Sequence, residues 1–163
     1  MMKKIFYLFA TMAVLALYSC KVHPDCCVLP QPPAMTAEKN GAAWLLPIGT
    51  STFSNNNIFV STVGPSLLST AKDSLSISLK YAGLGSYSPT DQQVAYTVFA
   101  NGVKTKYALD TNFYNSINIT ELAVQTNPDP TELKVTFILR FVDPANTTSV
   151  TLSDGKFTAF LSQ

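Results

Sequence analysis

Asp73-Ser74-Leu75-Ser76-Ile77-Ser78-Leu79-Lys80-Tyr81 alternates polar and apolar side chains from Ser74 onward. Leu75, Ile77, Leu79 and Tyr81 fall on one phase, and Ser74, Ser76, Ser78 and Lys80 on the other. A period of two belongs to an extended chain and a period of 3.6 to a helix, so the stretch reads as a strand with one buried and one wet face. Residues 132–142 repeat the pattern with Leu133, Val135, Phe137, Leu139 and Phe141. Their opposite phase adds Ile138 and Val142 to Lys134, Thr136 and Arg140, as expected of a better-covered central strand.

Turn signals link these runs to others of the same kind. Asn101-Gly102 stands between Val94–Ala100 and Val103–Leu109. Both of its residues tolerate positive φ, which a two-residue hairpin requires. Asn40-Gly41, between residues 35–37 and 42–46, predicts a second hairpin, and Ser153-Asp154-Gly155 reads as a turn dividing residues 150–152 from 157–161. Asn127-Pro128-Asp129-Pro130 breaks any ladder between residues 117–124 and the strand that starts at Glu132. Within 117–124 the apolar phase slips from Ile117 and Ile119 to Leu122 and Val124, which a β-bulge near Thr120-Glu121 would produce. Only residues 65–72, with Pro65 at a first-turn position, suit a helical turn. Eight or nine strands without alternating helices predict an all-β domain, an antiparallel β-sandwich or barrel, and periodicity alone does not choose between those closures. No internal repeat interrupts the pattern.

The first residues carry a different message. Lys3 and Lys4 precede an apolar run from Ile5 to Leu17, broken only by Thr11, and Leu17-Tyr18-Ser19-Cys20 follows. That run is shorter than the ~20 residues that span a bilayer, so an export signal fits better than a retained membrane helix. A small residue directly before cysteine, with Tyr18 where an ordinary cleavage site is small, is the pattern of a lipobox. Residues 1–19 are therefore expected to be a lipoprotein signal peptide. Cys20 is expected to carry a thioether-linked diacylglycerol, with palmitate-type acyl chains holding the protein to a membrane, most simply the outer membrane of a cell envelope. Each buried methylene contributes about 0.8 kcal/mol, so several chains make a stable anchor. Residues 20–33, with Pro24, Pro30, Pro32 and Pro33, read as the lipidated cysteine and an extended tether, and residues 34–163 as a single domain.

Removing Lys3 and Lys4 from the 11 basic residues leaves nine against 10 acidic ones, a formal net charge of −1. A near-neutral chain lacks the basic patch that nucleic acid requires, so no nucleic-acid partner is expected. Apart from Cys20, the cysteines are Cys26 and Cys27, both in the tether with the sole histidine, His23. The pair reads as free or incidentally oxidised thiols, with a strained vicinal disulfide or a link between two chains as alternatives.

The lipobox, the tether and Met35-Thr36-Ala37-Glu38-Lys39-Asn40-Gly41-Ala42-Ala43-Trp44 resemble the opening of small lipoproteins common in the Bacteroidota, whose mature domain begins with a strand, an Asn-Gly turn and a tryptophan. Val150-Thr151-Leu152-Ser153-Asp154-Gly155-Lys156-Phe157 is similar to the Thr-Asp-Gly-x-Phe close of the same group, with Ser153 in place of Thr. Leu139-Arg140-Phe141-Val142 departs from the Gly-Thr-Phe-x-Phe strand often found there. The family has no known function, so the resemblance implies an address and a β-rich fold, and no catalytic residue is carried over.

The chemistry of residues 34–163 is bounded by what they lack. Without histidine or cysteine, and with Arg140 as the sole arginine, they exclude Ser-His-Asp and Cys-His catalysis and His/Cys zinc sites. Neither a metal nor a cofactor is expected. Beyond Glu38, the carboxylates Asp73, Asp91, Asp110, Glu121, Asp129, Glu132, Asp143 and Asp154 remain, most of them flanking turns where Asp bonds its own backbone. No pair is identifiable as the facing carboxylates of a glycosidase. Asp110-Thr111-Asn112 and Asn127-Pro128-Asp129 offer oxygen ligands without EF-hand spacing and read as loop chemistry. Gly83-Leu84-Gly85 reads as a turn. Trp44 reads as a core plug, with ligand stacking as the alternative, and Tyr81, Tyr87, Phe113 and Tyr114 read as rim and core aromatics, with a sugar- or peptide-stacking platform as theirs. Asp73-Ser74-Leu75 resembles an O-glycosylation pattern of the Bacteroidota, and alternation turns Ser74 outward. The expectation is a lipid-anchored, non-catalytic domain that binds an envelope protein, a glycan or a small apolar ligand. A structural subunit of an envelope complex is the alternative, and a carboxylate-based hydrolase comes third.

Overall fold

The computed structural model describes residues 33–64, 72–123 and 131–162. The expected signal peptide, Cys20, His23, Cys26, Cys27, nearly all of the tether, the helical turn expected from Pro65, and Asn127-Pro128-Asp129-Pro130 lie outside the described residues. The all-β expectation holds. Ten strands are present: β1 (Ala34–Lys39), β2 (Ala42–Ser54), β3 (Asn57–Thr62), β4 (Asp73–Lys80), β5 (Gly85–Tyr87), β6 (Val94–Ala100), β7 (Val103–Leu109), β8 (Ser116–Ala123), β9 (Thr131–Val142) and β10 (Ser149–Leu161). Every pairing between them is antiparallel, and no helix long and apolar enough to cross a membrane occurs among the described residues.

The strands form a hydrogen-bonded circuit, β10-β1-β2-β3-β4-β6-β7-β9, closed by β9 against β10, with β8 and then β5 branching from β9. Two corners make the circuit possible. At the first, β2 leaves β1 and takes up β3 between Pro47 and Ile48, and the register slips once more between Ile48 and Thr50. Proline has no N–H to give a ladder and a bulge bends the strand, which is how one strand serves two sheets. At the second, Ala108 and Leu109 of β7 pair with Val142 and Phe141 of β9, while β8 pairs with residues 132–138 of the same strand. The outer edge of β7 over residues 103–107 has no strand partner among the described residues.

Alternation builds the core. β9 buries Leu133, Val135, Phe137, Leu139 and Phe141, and β4 buries Leu75, Ile77 and Leu79. They join Met35, Trp44, Ile58, Val60, Tyr96, Ile117, Ile119 and Leu152 in one cluster drawn from all around the circuit. Burying a large aliphatic side chain contributes about 1.5–3 kcal/mol, so these residues supply the main drive for closure.

Four local expectations can be compared with the structure. Asn40-Gly41 (φ 51 and 80) and Asn101-Gly102 (φ 51 and 79) form the two hairpin turns. The bulge falls between Ile119 and Glu121. The turn at Ser153-Asp154-Gly155 does not form, and β10 runs through it. Leu152 lies opposite Leu139 and Gly155 opposite Phe137, so β10 carries one extra residue, and β1 meets the same slip between Thr36 and Glu38. A hairpin would need the chain to return on itself, but both halves of β10 are held by the same two unbroken neighbours. Asp154 absorbs the insertion at φ 48. Fusing those two expected segments into β10, and adding β3 and the three-residue β5, gives ten strands where eight or nine were expected. β3 follows a third positive-φ pair, Asn55-Asn56 (φ 50 and 61).

A side chain at Gly155 would collide with the ring of Phe137, which fills the space a Cβ would take. Gly155→Ala is expected to destabilise the chain by about 1–3 kcal/mol through overpacking. Adding Phe137→Leu to that variant should recover part of the loss, measured by urea denaturation. A Gly155→Ala chain as stable as the parent would contradict the packing described.

Candidate functional site

Two polar assemblies stand out, one inside the circuit and one on its outer face. The inner one centres on Asp73, the first residue of β4 and in phase with Leu75, Ile77 and Leu79, so that its carboxylate points into the core. It is 6% exposed. Its Oδ2 accepts hydrogen bonds from Tyr96 Oη at 2.6 Å, Trp44 Nε1 at 3.1 Å and Lys39 Nζ at 2.6 Å. Tyr96 stands on β6, Trp44 on β2 and Lys39 on β1, so one oxygen ties strands on both sides of the core. The Lys39 ammonium also lies 5.7 Å from the centre of the Tyr96 ring, which stacks on Phe141 at 5.1 Å. Burial, and next the hydrogen bond to the Asp73 carboxylate, hold the Tyr96 phenol far above its ordinary value of 10.0. A carboxylate this enclosed, with its donors in place, is a structural clamp.

The outer assembly begins where β7 gives way to β8 along β9. Asp110 N–H donates to Arg140 O at 2.8 Å, and Arg140 N–H donates to Asn115 Oδ1 at 2.8 Å. The Asn115 amide thus stands in for a strand neighbour. Its Nδ2 donates to Asp110 O at 2.7 Å and to Phe113 O at 3.1 Å, while Asp110 Oδ1 accepts from Asn112 N–H at 3.0 Å. The Arg140 guanidinium sits 5.6 Å from the centre of the Phe113 ring, with Nε 3.4 Å from Asp110 Oδ2 and Nη2 donating to Ser149 Oγ at 3.2 Å. Between the held residues Phe113 and Asn115, Tyr114 is 75% exposed, against 8% for Asn115. Its short loop is pinned at both ends and presents an aromatic side chain to solvent.

Tyr114 borders a groove of about 590 Å³. Ser116 and Asn118 of β8, Thr136 and Ile138 of β9, and Asp154 and Lys156 of β10 line it, over the bulge that replaced the expected turn. The groove is broad and open to solvent, not an enclosed cavity. Asp154 is the single carboxylate among the lining residues.

The other residues singled out from the sequence do not gather at this groove. Trp44 is buried, as a core plug with a polar handle on Asp73. Tyr81 and Tyr87 pack against the core, and Tyr87 Oη accepts from Ala82 N–H at 3.0 Å and donates to Gly83 O at 2.5 Å. Of the four loop aromatics, Tyr114 alone lines the groove. Asp91 Oδ1 accepts from Leu109 N–H, and Glu121 and Glu132 both approach Lys134 Nζ, at 2.8 and 3.6 Å. Asp143 accepts from Thr147 N–H and from the hydroxyls of Thr147 and Thr148. The Thr147 hydroxyl leads the bonds that bring its pKa down to about 2. Asp129 lies outside the described residues, and Ser74 is half-buried. No group of three or more His, Cys, Asp and Glu side chains that could hold a metal occurs among the described residues.

Comparison with known proteins finds no matching family model, no matching curated protein and no matching solved structure.

Asp73→Ala should cost about 3–5 kcal/mol, because it strands Tyr96, Trp44 and Lys39 without their common acceptor. The Tyr96 shift sets an alkaline limit. Below pH 10 both the folded and unfolded states keep the phenol proton, and above it only the folded state does. Stability should therefore fall as pH rises past about 10, and Tyr96→Phe should flatten that dependence in denaturation midpoints. For Asp143, a carboxyl NMR titration should centre near pH 2, so its contribution is present above the ordinary value of 3.8 and lost as pH falls through about 2. Thr147→Val should move that titration upward.

Proposed function

We propose that this chain is a lipid-anchored protein of the cell envelope, held at the outer membrane by acyl chains on Cys20, whose β domain acts by binding a ligand. The observation that carries the binding half is Tyr114. Exposing a large aromatic side chain on a loop fastened by Asn115 and Arg140 gives up apolar burial without a return in folding, and exposed aromatics on rigid supports are the usual anchors of recognition. The groove beside it offers hydroxyls, an amide, one ammonium and one carboxylate. Hydrolysis of a glycoside uses two carboxylates across the bond, and Asp154 alone does not supply them. The anchoring half is supported by Lys3, Lys4, the apolar run and Ser19-Cys20, together with the likeness of the opening and closing motifs to small envelope lipoproteins.

Cell fractionation tests the address. The full chain should be processed and found with membranes, while Cys20→Ala should be released or left unprocessed. Normal processing and full membrane retention of Cys20→Ala would count against the anchor. Affinity capture from intact envelopes tests the binding. Whatever accompanies the chain should be lost with Tyr114→Ala, an exposed change that ought to leave stability within about 0.5 kcal/mol. A captured set unchanged by that substitution would remove Tyr114 from the site.

A further inference from the structure

We infer that the groove over β8, β9 and β10 is a subsite for a neutral oligosaccharide lying across the strands, with one sugar ring stacked on Tyr114. This rests on the binding reading above and names its ligand class. Strand register sets the floor. Asn118 pairs with Thr136, and Thr136 with Lys156, so an amide, a hydroxyl and an ammonium stand in one row perpendicular to the strands. Ser116 and Ile138 form the adjoining row. Neighbouring strands are about 4.8 Å apart, so the row presents a polar group at each step over about 10 Å. That spacing suits a chain of hydroxyl-bearing rings, each offering a donor and an acceptor to the side chain beneath it.

Charge narrows the ligand further. Asp154 and Lys156 are the charged residues that line the groove, they cancel, and neither has an ion-pair partner among the described residues. A polyanion or polycation would meet no complementary field, whereas hydroxyls can accept from Lys156 and donate to Asp154. Tyr114, 75% exposed at the rim, supplies the flat apolar face against which the C–H side of a sugar ring packs.

Two competing ligand classes fit less well. An extended peptide commonly gains affinity by adding a strand to a free sheet edge. Beneath the groove, both edges of β9 and of β10 are already taken by neighbouring strands, and β5 covers β8 over Ile117, Asn118 and Ile119. The apolar surface that Tyr114, Phe137 and Ile138 give the groove is interrupted by Ser116, Asn118, Thr136, Asp154 and Lys156, which a wholly apolar ligand would desolvate without offering hydrogen bonds.

The test is calorimetric titration of the full chain in detergent with neutral tetrasaccharides of gluco, manno, galacto and xylo configuration, and with a sulfated tetrasaccharide as the charged control. At least one neutral sugar should bind at millimolar concentration or below, with an affinity indifferent to added salt. Tyr114→Ala should weaken it about tenfold or more, Tyr114→Phe less than about threefold, and Asn118→Ala measurably. Thermal melting at the parent temperature would show that each variant is folded. Failure of every neutral sugar, a salt-sensitive preference for the sulfated one, or sugar binding untouched by Tyr114→Ala would each overturn the inference. Should Tyr114 prove necessary for capturing an envelope protein while no sugar binds, the glycan is wrong and the binding reading stands. If Tyr114 matters to neither, both fall.

Discussion

Each edge of a β-strand carries a single row of hydrogen-bonding groups, and one edge of β9 has to serve two strands. β8 takes residues 132–138, β7 takes Phe141 and Val142, and Arg140 falls between them. A buried ladder group left unpaired costs about 1–3 kcal/mol, so the seam needs a substitute partner. Asn115 provides it with a side-chain amide that accepts from Arg140 N–H and gathers the carbonyls of Asp110 and Phe113. The circuit closes because of this splice, and the splice sets where Tyr114 emerges. Fold closure and the candidate site therefore share one cause.

The interior clamp solves a different problem. Strands packed across a core through aliphatic side chains alone can slide, since dispersion and hydrophobic burial are weakly directional. Asp73 adds direction, because one carboxylate oxygen aligns an indole, a phenol and an ammonium from three other strands. Lys39 reaches it from partly exposed surface, so the ion pair forms at the rim of the core and its desolvation is incomplete.

Much of this was legible in the sequence, element by element. The alternation in β4 and β9, the Asn-Gly turns and the slip before Glu121 all follow from local rules, because each depends on residues close together in the chain. Asp154-Gly155 misled because the same dipeptide suits a turn or a bulge, and the choice is made by β1 and β9, which are distant in sequence. Asn55-Asn56 turns the chain without a glycine, so it carries a weaker signal than the other two pairs. Asp73 did leave a trace, as a charged residue on the apolar phase of its own strand, although its three donors are visible only in three dimensions. The groove left almost none, since its residues look like the ordinary wet faces of β8, β9 and β10, and in the sequence nothing sets Tyr114 apart from Tyr81 and Tyr87, which pack against the core.

The open edge of β7 bears on life at high density. Where copies of one chain meet, an unpaired strand is an invitation to run sheets together into fibres. Over residues 103–107 that edge carries Lys104 and Lys106, both exposed. A second copy approaching strand to strand would bring ammonium groups against ammonium groups with little water left to screen them. The other end of the sheet, β5, is only three residues long and starts at Gly85 with φ 125, too short to template a long pairing. Charge on the one edge and brevity on the other both work against running one sheet into the next.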